Sequence, residues 1–115
     1  MITAAAFLAM AAVGALARAE AGRRWNRPDG FPHGTLAVNV TGSFALGLLV
    51  DATPPFATVV GVGALGAYTT FSSFARDAVA LAEAGRRRAA TAYVLASCCG
   101  GTLAAALGIA LASAA

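Results

Sequence analysis

The chain has 115 residues, 59% of them hydrophobic and only 11% charged, with a mean hydropathy of +0.75 and a formal net charge of +3. That balance excludes a soluble domain, and no nucleic-acid partner is expected of it. All the cations are arginines, which reads as codon bias and carries no function.

Uncharged runs fill residues 1–17, 30–50, 52–75 and 89–115. A bilayer core about 30 Å thick needs roughly 20 apolar residues per helix. The runs therefore predict an all-α membrane protein of four transmembrane helices, the first short and the last long. Residues 1–115 form a single four-helix transmembrane domain in this reading, multi-pass in the cell membrane, with no internal repeat or low-complexity linker.

Helix one is expected from Ile2 to Arg18. Ala17, Arg18 and Ala19 resemble a cleavage site, but a signal peptide wants a positive segment before its apolar core, and residues 1–17 hold no Arg or Lys. A retained helix is the better reading. Its small residues, Gly14 among them, suit close helix packing, and Arg18 can snorkel to the headgroups. The loop Glu20–Gly34 carries Arg23, Arg24 and Arg27, with Trp25 as an interfacial anchor. His33, behind Pro32 at a helix entrance, is expected at the interface and not in catalysis.

Helix two, from about Thr35 to Val50, repeats Thr35, Asn39, Ser43 and Gly47 every four residues, a spacing that puts them on one face. An asparagine at mid-membrane needs a hydrogen-bonding partner or a wet cavity. The plainer alternative is that the stripe joins helices together. Asp51 to Pro55 makes a short, stiff second loop. Helix three starts near Phe56 and runs into Gly63-Ala-Leu-Gly-Ala-Tyr-Thr-Thr-Phe-Ser-Ser-Phe-Ala-Arg-Asp77. Glycine costs a helix roughly 1 kcal/mol against alanine, so Gly63, Gly66 and the pair Thr69–Thr70 predict a break at the centre of this helix. A helix can break in a bilayer only where protein or a water-filled cavity receives the freed backbone groups. Such breaks are where transport proteins place ion sites.

A second half-helix is expected to reach about Ala84, with Arg86, Arg87 and Arg88 as the third loop. Helix four follows from Ala89 to about Ala112, with Tyr93, Ser97 and Gly101 on one face. Cys98 and Cys99 are neighbours, diverging by about 100° on a helix, so they do not bridge; they read as small buried hydrophobes.

No enzyme is expected, because the interior lacks a nucleophile–base pair. Its polar groups are neutral: Asn39, Thr41, Ser43, Thr69, Thr70, Ser72, Ser73, Tyr93 and Ser97. Neutral donors with aromatic edges suit a small anion, since a phenyl ring has a negative face and a positive edge. Phe71 and Phe74, three apart, fall on one side of the half-helix. The alternative reading for an isolated F-x-x-F is ordinary core packing.

The glycine-threonine-phenylalanine run, preceded by Phe31-Pro-His-Gly-Thr-Leu-Ala-Val-Asn-Val-Thr-Gly-Ser-Phe-Ala-Leu-Gly47, resembles the Fluc/CrcB fluoride channels. The resemblance covers nearly the whole chain, including the Gly14 to Arg18 ending of helix one. It implies passive fluoride export from the cytoplasm through an antiparallel dimer with two pathways and a structural sodium ion on the dimer axis. By motif position, Asn39, Phe71 and Phe74 resemble pore residues, Ser72 and Ser73 hydroxyls on the same track, and Tyr93 and Ser97 a polar track on helix four. The sodium ligands would be the main-chain carbonyls of Gly66 and Thr69. Gly101 stands where a further hydroxyl can occur, and Asp77 where the family usually has a longer acid; neither receives a role.

Two other functions fit the sequence less well. A small multidrug-type cation exporter needs a membrane-embedded carboxylate, and helix one has none. A non-transporting membrane assembly subunit would explain the small residues but not the break or the polar stripes. Loops one and three hold six arginines, Arg23, Arg24, Arg27 and Arg86 to Arg88, whereas loop two and both ends hold none. Arginine-rich short loops stay inside, so both ends of the chain are expected outside. Such a bias favours an antiparallel pair with a second homologous subunit of reversed bias, with a homodimer as the alternative.

Overall fold

The computed structural model describes residues 1–28 and 30–115. Helix α1 spans Ile2–Trp25 and α2 His33–Leu48. The next run is compound: α3, Pro54–Phe56, leads into a π-helical stretch, Ala57–Leu65, and then α4, Gly66–Tyr68. Helix α5 covers Phe71–Glu83 and α6 Arg87–Ala114. The described residues are all-helical apart from turns and one isolated bridge between Asn26 and Pro32.

Helix α1 outlasts its apolar run by two turns. The expected end at Arg18 is corrected to Trp25, because helix formers continue past the first charge and Glu20 accepts from both Arg23 and Arg24 one turn on. Arg23 and Arg24 also lie in the last turn, where cations suit the helix dipole. The α5–α6 turn is set by Gly85 at φ 76°. Its N–H donates to the Ala82 carbonyl and that of Arg86 to Leu81, both at 3.0 Å, which closes a Schellman motif.

Among the described residues, two helices, Thr3–Trp25 and Arg87–Ala114, are long and apolar enough to cross a membrane. Helix α2 has 16 residues, about 24 Å of helix at 1.5 Å per residue.

Packing follows the small residues. Helix α1 lies on the compound run, and a side chain at Gly14 would collide with the Ala64 carbonyl. The most extensive seam is α2 on α6, where Gly47 and Gly108 meet backbone to backbone. Gly47 is therefore packing, so the four-residue stripe of α2 is polar at its upper part and helix glue at its end. Cys98 and Cys99 are exposed, correcting the buried reading: α6 turns Tyr93 and Gly108 inward and leaves the thiols on its flanks.

Candidate functional site: a neutral groove and an arginine-lined chamber

Between α4 and α5 the backbone leaves the helix. Thr69 lies at φ −77°, ψ 156° and Thr70 at φ −151°, ψ 116°, both extended. Each threonine has a task there. Thr69 sends its N–H (2.9 Å) and its Oγ1 (3.0 Å) to the Leu65 carbonyl, closing α4. Thr70 Oγ1 accepts the Ser73 N–H at 3.1 Å, the N-cap bond that starts α5. The Thr70 N–H, which would bond the Gly66 carbonyl in a continuous helix, goes to Asn39 Oδ1 instead. The carbonyls of Gly66 and Thr69 are thus oxygen donors that lie outside the regular helical ladder. A hard cation takes such ligands, and the described residues hold no cluster of His, Cys, Asp or Glu that would compete for a metal.

Asn39 reaches this point from α2 because Gly42, one turn on, lets Thr69 and Tyr68 approach; a Cβ there would strike the Thr69 methyl. Ser43 Oγ donates back to the Asn39 carbonyl at 2.7 Å.

A cavity of about 290 Å³ opens beside the extended pair. Asn39, Phe71, Phe74 and Ser97 line it together, joined by Ser43 and Thr70, and no charged side chain among the described residues does. The two phenyl rings lie 5.7 Å apart, tilted by 47°. The Phe71 ring is 80% exposed in the single chain. Ser97 Oγ is buried without a hydrogen-bond partner.

Tyr93 does not line the groove. It is fully buried behind Phe74, with ring centroids 5.5 Å apart, and stands edge-on to Phe31 at the same distance. Its hydroxyl also lacks a partner. Ser72 and Ser73 lie on another wall. With Thr70 they border a second cavity of about 440 Å³, lined also by Arg18, Arg23 and Arg76. Thr70 is common to both spaces.

Sequence reasoning missed the bracing of α5. Asn26 Oδ1 accepts the N–H groups of Gly34 (2.7 Å) and Thr35 (3.2 Å), capping α2 from the end of α1. Asn26 Nδ2 donates to Thr35 Oγ1 at 2.9 Å, and that hydroxyl donates to Asp77 Oδ2 at 2.8 Å. An asparagine just after the arginine pair was the available signal, but its partners are eight or more residues away.

The comparisons with known proteins agree with the motif. A protein from Chelativorans sp. (strain BNC1) is 49% identical over 89 residues, 71% of each chain. One from Rhizobium meliloti (strain 1021) is 47% identical over 74 residues, 58% of this chain and 59% of the relative. One from Vibrio parahaemolyticus is 52% identical over 63 residues, 49% of this chain and 50% of the relative. Each is named a fluoride-specific ion channel. The aligned part thus spans from half to under three quarters of these relatives' lengths. The family described as CrcB-like protein, Camphor Resistance (CrcB), matches residues 5–109, which include both helices of the α2–α6 seam up to Ile109 and the whole extended-threonine site, and the chain belongs to that family.

Proposed function

We propose that this chain is a fluoride-selective ion channel, a membrane protein through which fluoride leaves the cytoplasm passively. The observation that carries the reading is the groove's chemistry: neutral donors and ring edges, with no fixed charge. A fixed cation would hold a small anion too tightly for conduction, which needs binding weak enough to leave. Ser97 Oγ has no partner and Asn39 retains one amide hydrogen after its bond to Thr70. These donors replace part of the ion's water, and the edges of Phe71 and Phe74 supply positive potential. Ser72 and Ser73 serve at the chamber side and Ser97 along α6, while Tyr93 backs the Phe74 ring from the interior.

The chain works as one member of an antiparallel pair in a multi-pass, four-crossing arrangement, with its third helix broken at Thr69 and Thr70. The exposed Phe71 ring supports this, since a second subunit would cover it and close the groove. A structural sodium ion is held by the Gly66 and Thr69 carbonyls, where it offsets the negative ends of the freed peptide dipoles. The arginine-rich connections around α1–α2 and α5–α6 support a single insertion, with both ends outside and a second homologous subunit as partner.

The test is fluoride efflux from liposomes, read with a fluoride electrode, with chloride as control. Rapid fluoride release without chloride release is expected when the pair is complete. Equal release of both ions, or release of neither with every partner arrangement, ends the reading.

A further inference from the structure

Arg18 is half-buried and makes no hydrogen bond or ion pair among the described residues. A guanidinium carries five N–H donors, and burying a charge without a partner is unfavourable. Arg18 lines the chamber of about 440 Å³ with Arg23 and Arg76, and no carboxylate among the described residues shares that lining. Arg23 spends two of its nitrogens on Glu20, at 2.8 and 2.7 Å, and Arg76 stands 3.5 Å from Asp77. Donors remain on both. The hydroxyls of Ser72, Ser73 and Thr70 share the wall with Asn26 and Thr35.

This is more apparatus than a monatomic ion uses. Guanidinium forks match ligands that present two oxygens along one edge, as phosphate and sulfate do. The neutral groove beyond Thr70 offers such a polyvalent ion nothing to offset its charge. We propose that the chamber is a binding site for a tetrahedral oxyanion of the phosphate class, anchored on Arg18 and assisted by Arg23 and Arg76. An ion lodged there lies against Thr70 and closes the chamber to smaller anions. The inference rests on the channel reading only for this last effect.

Two sources share the chemistry: free inorganic phosphate and the phosphodiester of a lipid headgroup. The experiment is calorimetric titration of inorganic phosphate into the full chain in a maltoside detergent, with chloride of equal ionic strength as the blank. Saturable phosphate binding is expected, weakened about tenfold in Arg18→Gln and less in Arg76→Gln, as loss of a charge-assisted hydrogen bond implies. Arg18→Lys keeps the charge without the fork and should fall between wild type and Arg18→Gln, which separates recognition from misfolding. If nanodiscs of phosphatidylglycerol abolish the phosphate signal while phosphatidylcholine nanodiscs preserve it, the site stands with a lipid phosphodiester as its resident. Absence of saturable phosphate binding in detergent, or equal affinity in wild type, Arg18→Gln and Arg76→Gln, overturns the proposal. Phosphate on the arginine side should also slow fluoride efflux. Calorimetry needs no flux, so the site and the channel fail separately.

Discussion

Asn39 holds Thr70 by both ends of its peptide: its Oδ1 accepts the Thr70 N–H at 2.7 Å, and its Nδ2 donates to the Thr70 carbonyl at 3.0 Å. One side-chain amide thus imitates a strand partner for a single extended residue, exchanging both hydrogen bonds with it. The residue expected to face the anion is also the clamp that keeps α4 and α5 apart in register. Asn39→Asp retains the acceptor and loses the donor. It leaves the Thr70 carbonyl unpaired, at a cost of about 1–3 kcal/mol, and sets a negative charge beside an anion path. Repulsion at about 4 Å is on the order of 4 kcal/mol near a protein surface. Fluoride efflux should be abolished, and lower thermal stability in detergent should accompany the loss.

Phe71→Ile and Phe74→Ile remove the ring edges and keep apolar bulk. An aromatic contact of roughly 1 kcal/mol converts to a rate loss of about tenfold at most per ring if it acts in the transition state. Gel filtration should show unchanged assembly while efflux falls in each variant. Normal flux in both would remove the rings from the pathway.

Thr70→Ala deletes the N-cap of α5 but not the backbone clamp. A lost Thr cap destabilises by about 1 kcal/mol, readable as a lower melting temperature. Thr70→Ser should restore it.

Gly66 separates an internal fault from an external one. A Cβ at this position meets only the Gly61 carbonyl, at 3.8 Å, so the chain itself has room for it. Gly66→Val should nevertheless abolish flux, because the surface it alters is where the sodium ion and second subunit are proposed. Thr69→Ser keeps the Oγ1 bond to Leu65 and should conduct nearly normally. A normally active Gly66→Val would remove the proposed sodium site from this peptide.

The topology prediction is checked by accessibility labelling of the chain expressed alone. Insertion in one orientation, with silence until a homologous partner is supplied, is the expected outcome. Insertion both ways with unaided fluoride flux would make the assembly a homodimer.

Much of this site was legible because helical spacing is a local property. Phe71 and Phe74 line one groove because three residues bring a helix nearly full circle, and the intervening Ser72 and Ser73 face a different cavity for the same reason. The four-residue rows on α2 and α6 do meet, with a side chain at Gly101 coming within 3.5 Å of Ser43 Oγ. What stayed hidden depends on tertiary approach. Asn26 looks like a loop residue until α2 arrives to be capped, and Thr35 looks like one more step of a polar stripe until Asp77 is found against it. The end of α1 was misplaced because apolar content marks where a membrane-compatible run stops, whereas Glu20, Arg23 and Arg24 carry the helix onward.

Thr70 borders both cavities while its peptide is fixed by Asn39 and its hydroxyl by Ser73. It is a party wall. Any change there alters two rooms at once, and its effect on flux cannot be assigned to either. Measurements meant to separate anion capture from anion passage belong on either side of it: at Ser72, which borders the chamber and not the groove, and at Ser97, which borders the groove and not the chamber.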